Sequence, residues 1–169
     1  MKSEVRFLIV LLLITSPLLS ASKRQILENQ ISIIAQHHNL DSLFVKAVIA
    51  QESNYNPNAE GTLDEIGLMQ LREKYFHSLG DLYNVEINVN GGCTFLVHLL
   101  NRFDQDKYQA LTGYNYGPSH TQTTQIKTSG YAKQVMKRYH KACDRRGNPQ
   151  TKQISIFTIL IFAMGILIL

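Results

Sequence analysis

Apolar residues recur every three or four positions along most of the middle of this chain. This spacing is typical of amphipathic helices, because one helical turn takes 3.6 residues. The pattern predicts helices over residues 26–38, 41–52, 73–79, 88–103, 106–114 and 131–142. No run of alternating apolar and polar residues exceeds a few positions, so we predict a mainly α-helical body without extended strands.

Polar residues, glycines and prolines separate these predicted helices. Asn39 lies near the first stop, and Asp41 or Ser42 is the expected cap of the second helix. Residues 56–66 are polar with Gly and Pro and are predicted to form a loop, followed by a short helix or turn at 67–70. Gly80 is expected to end the third helix, and Asn88 is the expected cap of the fourth. Residues 118–130 are rich in Ser, Thr and Gln and are predicted to be a surface connection.

The first 21 residues have the pattern of an export signal. Lys2 and Arg6 supply positive charge, residues 7–19 are mostly apolar, and Ser20 and Ala21 are small. This order is typical of a secretory signal peptide. An uncleaved membrane anchor is the alternative, although about twenty apolar residues are usual for a span.

The last sixteen residues, 154–169, contain no charged side chain. As a helix they would extend about 24 Å, which is short of a hydrocarbon core of about 30 Å. We predict a membrane-associated tail, with packing against a partner protein as the alternative. The predicted organisation is therefore a signal or anchor at 1–21, a folded domain at 22–147, a linker at 148–153 and the tail.

Composition limits the classes of partner and cofactor. The chain has 169 residues, enough for one core, and a net charge of +4. This charge suits anionic partners such as lipid headgroups or an acidic cell wall, and the sequence does not demand nucleic acid. The six histidines show no metal-ligand spacing with acidic residues or cysteines, so neither a metal nor a cofactor is expected.

The two cysteines are Cys93 and Cys143. If the chain is exported, an oxidising compartment would permit a disulfide between them. The alternative is two unrelated thiols, because the sequence does not give the Cα separation that a bridge requires. Both interpretations stay open at this point.

Glu52 is the most informative candidate for chemistry. Residues 47–57 read Ala-Val-Ile-Ala-Gln-Glu-Ser-Asn-Tyr-Asn-Pro, so an apolar helix carries this carboxyl to its end. Pro57 disfavours helix just before it, which predicts a stop near Asn54 or Tyr55. The negative end of the helix dipole and the apolar neighbours are both expected to raise the pKa of Glu52. Such a carboxyl suits proton donation, whereas the alternative is a solvated side chain at a helix end.

Four blocks follow one another in a recognisable order. They are Glu-Ser-Asn-Tyr-Asn-Pro at 52–57, Gly-Leu-Met-Gln at 67–70, Asn-Val-Asn-Gly-Gly-Cys-Thr-Phe-Leu at 88–96 and Ala-Leu-Thr-Gly-Tyr-Asn-Tyr-Gly-Pro at 110–118. In this order and spacing the chain resembles the soluble lytic transglycosylase family of the goose-lysozyme-like group. The resemblance covers about residues 26 to 140 and implies a lysozyme-like fold.

The resemblance also implies a reaction. Members cleave the bond between N-acetylmuramic acid and N-acetylglucosamine in peptidoglycan and form a 1,6-anhydro sugar without consuming water. By matched position, Glu52 is the catalytic acid and base, and Tyr114 is the tyrosine whose hydroxyl approaches it. Among the implied substrate contacts, Ser53 orients the acid or binds a sugar, and Asn115 lies near the sugar.

Three other matched positions are weaker. Gln70 closes the Gly-Leu-Met-Gln block and is expected in the groove, whereas Met69 either lines a subsite or packs in the core. Tyr116 replaces a small residue of the family pattern and is expected to narrow a subsite. Gly113 replaces the usual Ala before Tyr-Asn, which is a small change.

Two alternative functions remain open. Glu65 lies in the loop expected to border the groove, where a second carboxylate would assist a water in a lysozyme-type hydrolase; the alternative is a solvated loop charge. A non-catalytic wall-binding assembly factor is the third interpretation. For the leading interpretation, a lytic transglycosylase, we expect a periplasmic enzyme associated with the inner membrane. It would open the cell wall locally for a secretion, conjugation or pilus machine or for a phage.

Overall fold

The computed structural model describes residues 22–117 and 129–147, and most of this part is helical. The predicted segments 1–21, 148–153 and 154–169 lie outside the described residues, as does most of the predicted connection at 118–130. The chain divides into two units, the first ending at Val97 and the second beginning at His98. Within the described residues, no helix combines the length and apolar character needed to cross a membrane.

Two helices begin the first unit. Helix α1 covers residues 22–37 and is followed by Asn39 in the left-handed region at φ 55°, as expected for a helix stop. Helix α2 spans Ser42–Glu52, and the Asp41 carboxylate caps it by accepting from the Leu43 N–H at 2.8 Å. A helix that is apolar on most sides is typically buried, and α2 is the central helix of this unit. Five of its residues are buried: Phe44, Val45, Ala47, Val48 and Ile49.

A small hairpin follows that the sequence pattern did not predict. Strand β1, Glu65–Ile66, pairs antiparallel with strand β2, Leu71–Arg72. Two-residue strands are too short to produce a visible alternation. Helix α3, Glu73–Phe76, and a 3₁₀ turn, His77–Leu79, come next, and Gly80 ends them at φ 103° as predicted.

Helix α4 spans Val85–Arg102, and its start corrects one prediction. The side chain of Asn84 caps the helix by accepting from the N–H groups of Glu86 and Ile87 at 2.9 and 3.2 Å. Asn88 is therefore not the cap but lies inside the first turn, 1% exposed. An apolar pattern alone does not separate two asparagines four residues apart.

The second unit pairs two helices. Helix α5 spans Lys107–Tyr116 and is capped by Asp106; helix α6 spans Gly130–Gly147 and packs against it. Buried Thr112 and Ser129 join them, because the Ser129 N–H donates to Thr112 Oγ1 at 3.0 Å and the two hydroxyl oxygens lie 3.4 Å apart. At their C-terminal ends both helices extend beyond the bounds that the sequence predicted.

Candidate functional site

Glu52 is the last residue of helix α2, and its side chain is partly buried. The helix ends at the residue that the apolar pattern predicted. The expected stop at Asn54 or Tyr55 follows directly, because both residues take left-handed backbone angles, φ 49° and 66°. The Ser53 N–H still donates to Ile49 O at 3.1 Å and closes the last turn. The carboxyl thus lies at the negative end of the helix dipole, as the sequence predicted.

Ser53 joins this helix end to the Gly-Leu-Met-Gln block. Its Oγ donates to the carbonyl of Leu68 at 2.8 Å and lies 3.3 Å from Ile49 O. Residues 67–70 form a turn, in which Gly67 has φ 78° and the Gln70 N–H donates to Gly67 O at 3.2 Å. The structure therefore brings the acid-bearing helix end and the second block together through one hydroxyl.

Asn88 holds the same turn from the other side. Its Oδ1 accepts from the Met69 N–H at 2.8 Å, and its Nδ2 donates to Ile66 O and Leu82 O, each at 2.8 Å. All three bonds are made by a side chain that is almost fully buried. Sequence reasoning missed this role, although a polar residue on the apolar side of α4, at the start of the third block, was a usable signal.

The side chains of the turn itself point to structural roles. Gln70 donates from its amide to Ala59 O at 3.1 Å and to Gly67 O at 3.0 Å, so much of its hydrogen-bonding capacity serves the loop. Met69 is 0% exposed. A Cβ on Gly92 would lie 2.3 Å from Met69 Sδ, which shows how closely this side chain approaches α4. The structure therefore places Met69 in the core, the second of the two roles that the sequence left open.

Glu65 lies in strand β1 and its carboxylate turns back on its own loop. Oε2 accepts from the Leu63 N–H at 2.8 Å. A Cβ on Gly61 would lie 2.3 Å from the same oxygen, so the loop closes tightly around it. This contact gives Glu65 a structural function, and its role as a second carboxylate stays a prediction.

A tyrosine and a carboxylate pair beside this loop. The Tyr83 hydroxyl donates to Glu60, and this hydrogen bond, followed by burial and the charge of Glu60, raises the pKa of Tyr83. Glu60 also forms an isolated bridge with Ile66. The loop 60–66 is thus fixed at several points.

Helix α1 supports the chain just after Glu52. The Arg24 guanidinium lies 3.3 Å from the centre of the Tyr55 ring, and Arg24 Nε is 2.8 Å from Glu28. The Tyr55 hydroxyl donates to Lys46 O at 3.2 Å. One face of this ring is therefore covered by Arg24, and its hydroxyl is engaged by the backbone of helix α2.

The fourth block forms the C-terminal part of helix α5 in the second unit. Tyr114 is partly buried, whereas Asn115 and Tyr116 are exposed, Tyr116 to 52%. Gly113 is buried, and a Cβ there would approach Phe103 at 3.0 Å, so the change from the usual Ala gives closer packing. The proximity of Tyr114 to Glu52 stays a prediction.

Both cysteines are free thiols in this structure, so it does not form the bridge that the sequence left open. Cys93 is fully buried in α4, and burial raises the pKa of its thiol to about 12. Such a thiol is inert while the unit is folded. Among the described residues, no group of three or more His, Cys, Asp and Glu side chains could hold a metal ion.

A family comparison matches most of the described chain. Residues 29–138 match the sequence model of the family described as Transglycosylase SLT domain. The match spans more than half of the 169 residues and includes all four blocks.

Two relatives carry the name membrane-bound lytic murein transglycosylase F. The protein from Desulfosudis oleivorans is 33% identical over 99 residues, which is 54% of this chain and 22% of that protein. The protein from Sodalis glossinidius is 33% identical over 91 residues, 49% of this chain and 20% of that protein. This chain therefore spans about a fifth of the length of the relatives it matches.

Two solved structures share the fold. The 70 kDa soluble lytic transglycosylase from Escherichia coli superposes with a TM-score of 0.63 at 19% identity, covering 73% of this chain and 25% of that one. An inactive mutant of the lytic transglycosylase Slt from Pseudomonas aeruginosa superposes with a TM-score of 0.54 at 18% identity, covering 74% of this chain and 21% of that one. These similarities confirm the predicted mainly α, lysozyme-like domain.

Proposed function

This chain belongs to the transglycosylase SLT domain family, and from that premise we propose that it is a peptidoglycan lytic transglycosylase. The proposed reaction cleaves the β-1,4 bond between N-acetylmuramic acid and N-acetylglucosamine and leaves a 1,6-anhydro end. The names of the relatives, lytic murein transglycosylases, support this reaction class.

In this proposal Glu52 acts twice. Its carboxyl first gives a proton to the glycosidic oxygen, because an alkoxide is a poor leaving group. As the bond to the anomeric carbon breaks, the muramoyl 6-hydroxyl oxygen attacks that carbon and Glu52 takes its proton. Attack from within the same sugar has a high effective molarity and outcompetes water.

The placement of Glu52 is the observation that carries the proposal. The side chain is partly buried at the C-terminal end of α2, and both burial and the helix dipole favour its protonated form. Ser53, the residue after the acid, and Asn88 both hydrogen-bond to the turn at 67–70, so the helix end that carries Glu52 is attached to an ordered turn. Fixed surroundings of this kind hold a catalytic side chain in its productive geometry.

The residues of the second unit are given supporting roles. Tyr114 places its hydroxyl near the acid, Asn115 contacts the sugar, and Tyr116 narrows a subsite. Their positions in the fourth block and the exposure of Asn115 and Tyr116 support these roles. Gln70 contributes through the shape of the turn that it stabilises.

The proposed site of action is the periplasm next to the inner membrane. Residues 1–21 direct export, and residues 154–169 associate with the bilayer through a linker at 148–153. The uncharged composition of the tail and the name "membrane-bound" of the relatives support this location. The small domain suits local opening of the wall for a secretion, conjugation or pilus machine.

Digestion of purified sacculi by the full chain tests the reaction directly. Mass spectrometry of the released muropeptides is expected to show 1,6-anhydro ends as the main product. A parallel digest with a lysozyme provides the reducing-end products for comparison. A digest dominated by reducing ends would instead assign a hydrolase, and undigested sacculi would favour a wall-binding factor.

A further inference from the structure

The net positive charge of this chain arises from helix α6. Residues 130–147 contain six of the 17 Lys and Arg residues and only one of the 13 acidic residues, Asp144, which gives this helix +5. The rest of the chain then has eleven basic and twelve acidic residues, a net charge of −1. A charge confined to eighteen residues creates a local field that the total of +4 understates.

The lysines of this helix lie on one side. Lys133, Lys137 and Lys141 are spaced four residues apart, so their side chains form a row, and all three are exposed. The apolar side, with Ala132 and Val135, is buried. At about 100° per residue the lysine row lies roughly 150° around the helix axis from the buried residues, on the side turned away from the core.

The lysine row is not neutralised locally. Among the described residues, none of these three lysines forms an ion pair with a carboxylate. Asp144, three residues after Lys141, offsets only one of the six positive charges. The exposed row is therefore available to an extended anionic surface.

We propose that the lysine row of helix α6 binds the surface of an anionic phospholipid bilayer. The chain that follows supports this partner, because the uncharged residues 154–169 begin seven positions after Gly147. That distance is at most about 25 Å even for a fully extended chain. A bilayer accepts an apolar segment and neighbouring basic residues together, whereas a wall polymer would accept only the charge.

This inference is independent of the proposed catalysis. The lysine row lies in a helix that contains no residue of the four motif blocks. The Glu52→Gln variant, which is expected to lose wall cleavage, should therefore keep its preference for anionic vesicles. Failure of the lipid proposal would leave the enzymatic proposal intact, and the reverse is equally true.

Vesicle partitioning of the full chain tests the proposal. We would compare phosphatidylcholine vesicles with vesicles that contain about 30% phosphatidylglycerol, since the tail contributes to binding of both and only the second attracts lysines. The double variant Lys137→Gln/Lys141→Gln removes two charges from the row. The matched control Lys23→Gln/Lys74→Gln removes two exposed charges elsewhere.

The wild-type chain is expected to prefer the anionic vesicles by at least about tenfold at low salt, and the preference should shrink at high salt. The double variant in the row should lose most of that preference, whereas the control should keep it. The proposal is overturned if the wild type shows no preference, if both variants lose it equally, or if the row variant binds anionic vesicles normally and loses binding to sacculi.

Discussion

Two of the motif blocks differ in how firmly the surrounding structure fixes them. The turn at 67–70 is fixed from both sides, by Ser53 from helix α2 and by buried Asn88 from helix α4. The block at 110–118 instead uses the first part of α5 for packing and leaves Asn115 and Tyr116 exposed at its end. The turn at 67–70 is therefore expected to supply rigidity around the acid, and the block at 110–118 is expected to supply side chains that contact the glycan.

The largest expected effect is on the fixed block. Asn88→Ala removes three hydrogen bonds and leaves buried N–H and C=O groups unpaired, so the free energy of unfolding should fall by about 3 kcal/mol. Urea unfolding followed by circular dichroism measures this, since the chain has no Trp. Asn101→Ala, the same change at an exposed position of α4, should cost less than about 0.5 kcal/mol. Equal losses in both variants would refute the role of Asn88.

A moderate effect is expected where helix α5 begins. Asp106 caps this helix by accepting from the N–H groups of Tyr108 and Gln109 at 2.8 and 3.1 Å. Replacing it with Ala should cost about 1 kcal/mol, whereas Asn, which caps equally well, should cost little.

The same cap has a predictable pH dependence. Burial alone would raise the pKa of Asp106, but hydrogen bonds from the Gln109 side chain and from the Gln109 and Tyr108 backbone outweigh it and lower the pKa. A carboxyl whose pKa is lowered by folding stabilises the folded state at pH values above its unfolded-state pKa. This stabilisation is lost as the pH falls through the folded-state pKa. Acid titration of stability should therefore differ between wild type and Asp106→Asn below about pH 4. Parallel titration curves would contradict this assignment.

The smallest effect on stability is expected at the exposed block. Tyr116→Ala should change the free energy of unfolding by less than about 0.5 kcal/mol, because its side chain is half exposed. It should nevertheless raise KM for sacculi or for soluble glycan fragments, since a proposed sugar contact is removed. Unchanged kinetics would remove Tyr116 from the binding residues, and a large loss of stability would contradict the contrast between the two blocks.

The helical fold was largely predictable because its signals are local. Apolar periodicity and a capping residue, Asp41, identified most of the helices, whereas Asp106 was predicted as the start of α5 and the structure shows that it is the cap. The hairpin of β1 and β2 was missed because two-residue strands carry no periodic signal. The cap of α4 was misplaced because Asn84 and Asn88 look alike in sequence, and only the fold shows which one faces a free helix end.

The candidate site was predictable only in part. The ordered blocks selected Glu52 and the turn at 67–70 as candidates, but they could not show that Asn88 supports that turn through contacts 19 to 22 residues apart. Burial decided one choice that the sequence left open, because Met69 proved to be core. The Glu65 carboxylate accepts a hydrogen bond from its own loop, and its role as a second carboxylate stays a prediction.

The central claim is that one carboxyl group, Glu52, performs the proton transfers. Initial rates of sacculus solubilisation by wild type, Glu52→Gln and Glu65→Gln, with circular dichroism confirming the fold of each, test it most directly. We predict that Glu52→Gln lowers the rate by about 10²–10⁴-fold, the usual contribution of a general acid, while Glu65→Gln stays within about threefold of wild type because Gln keeps the contact with the Leu63 N–H. A Glu52→Gln enzyme that solubilises sacculi at the wild-type rate would contradict the account.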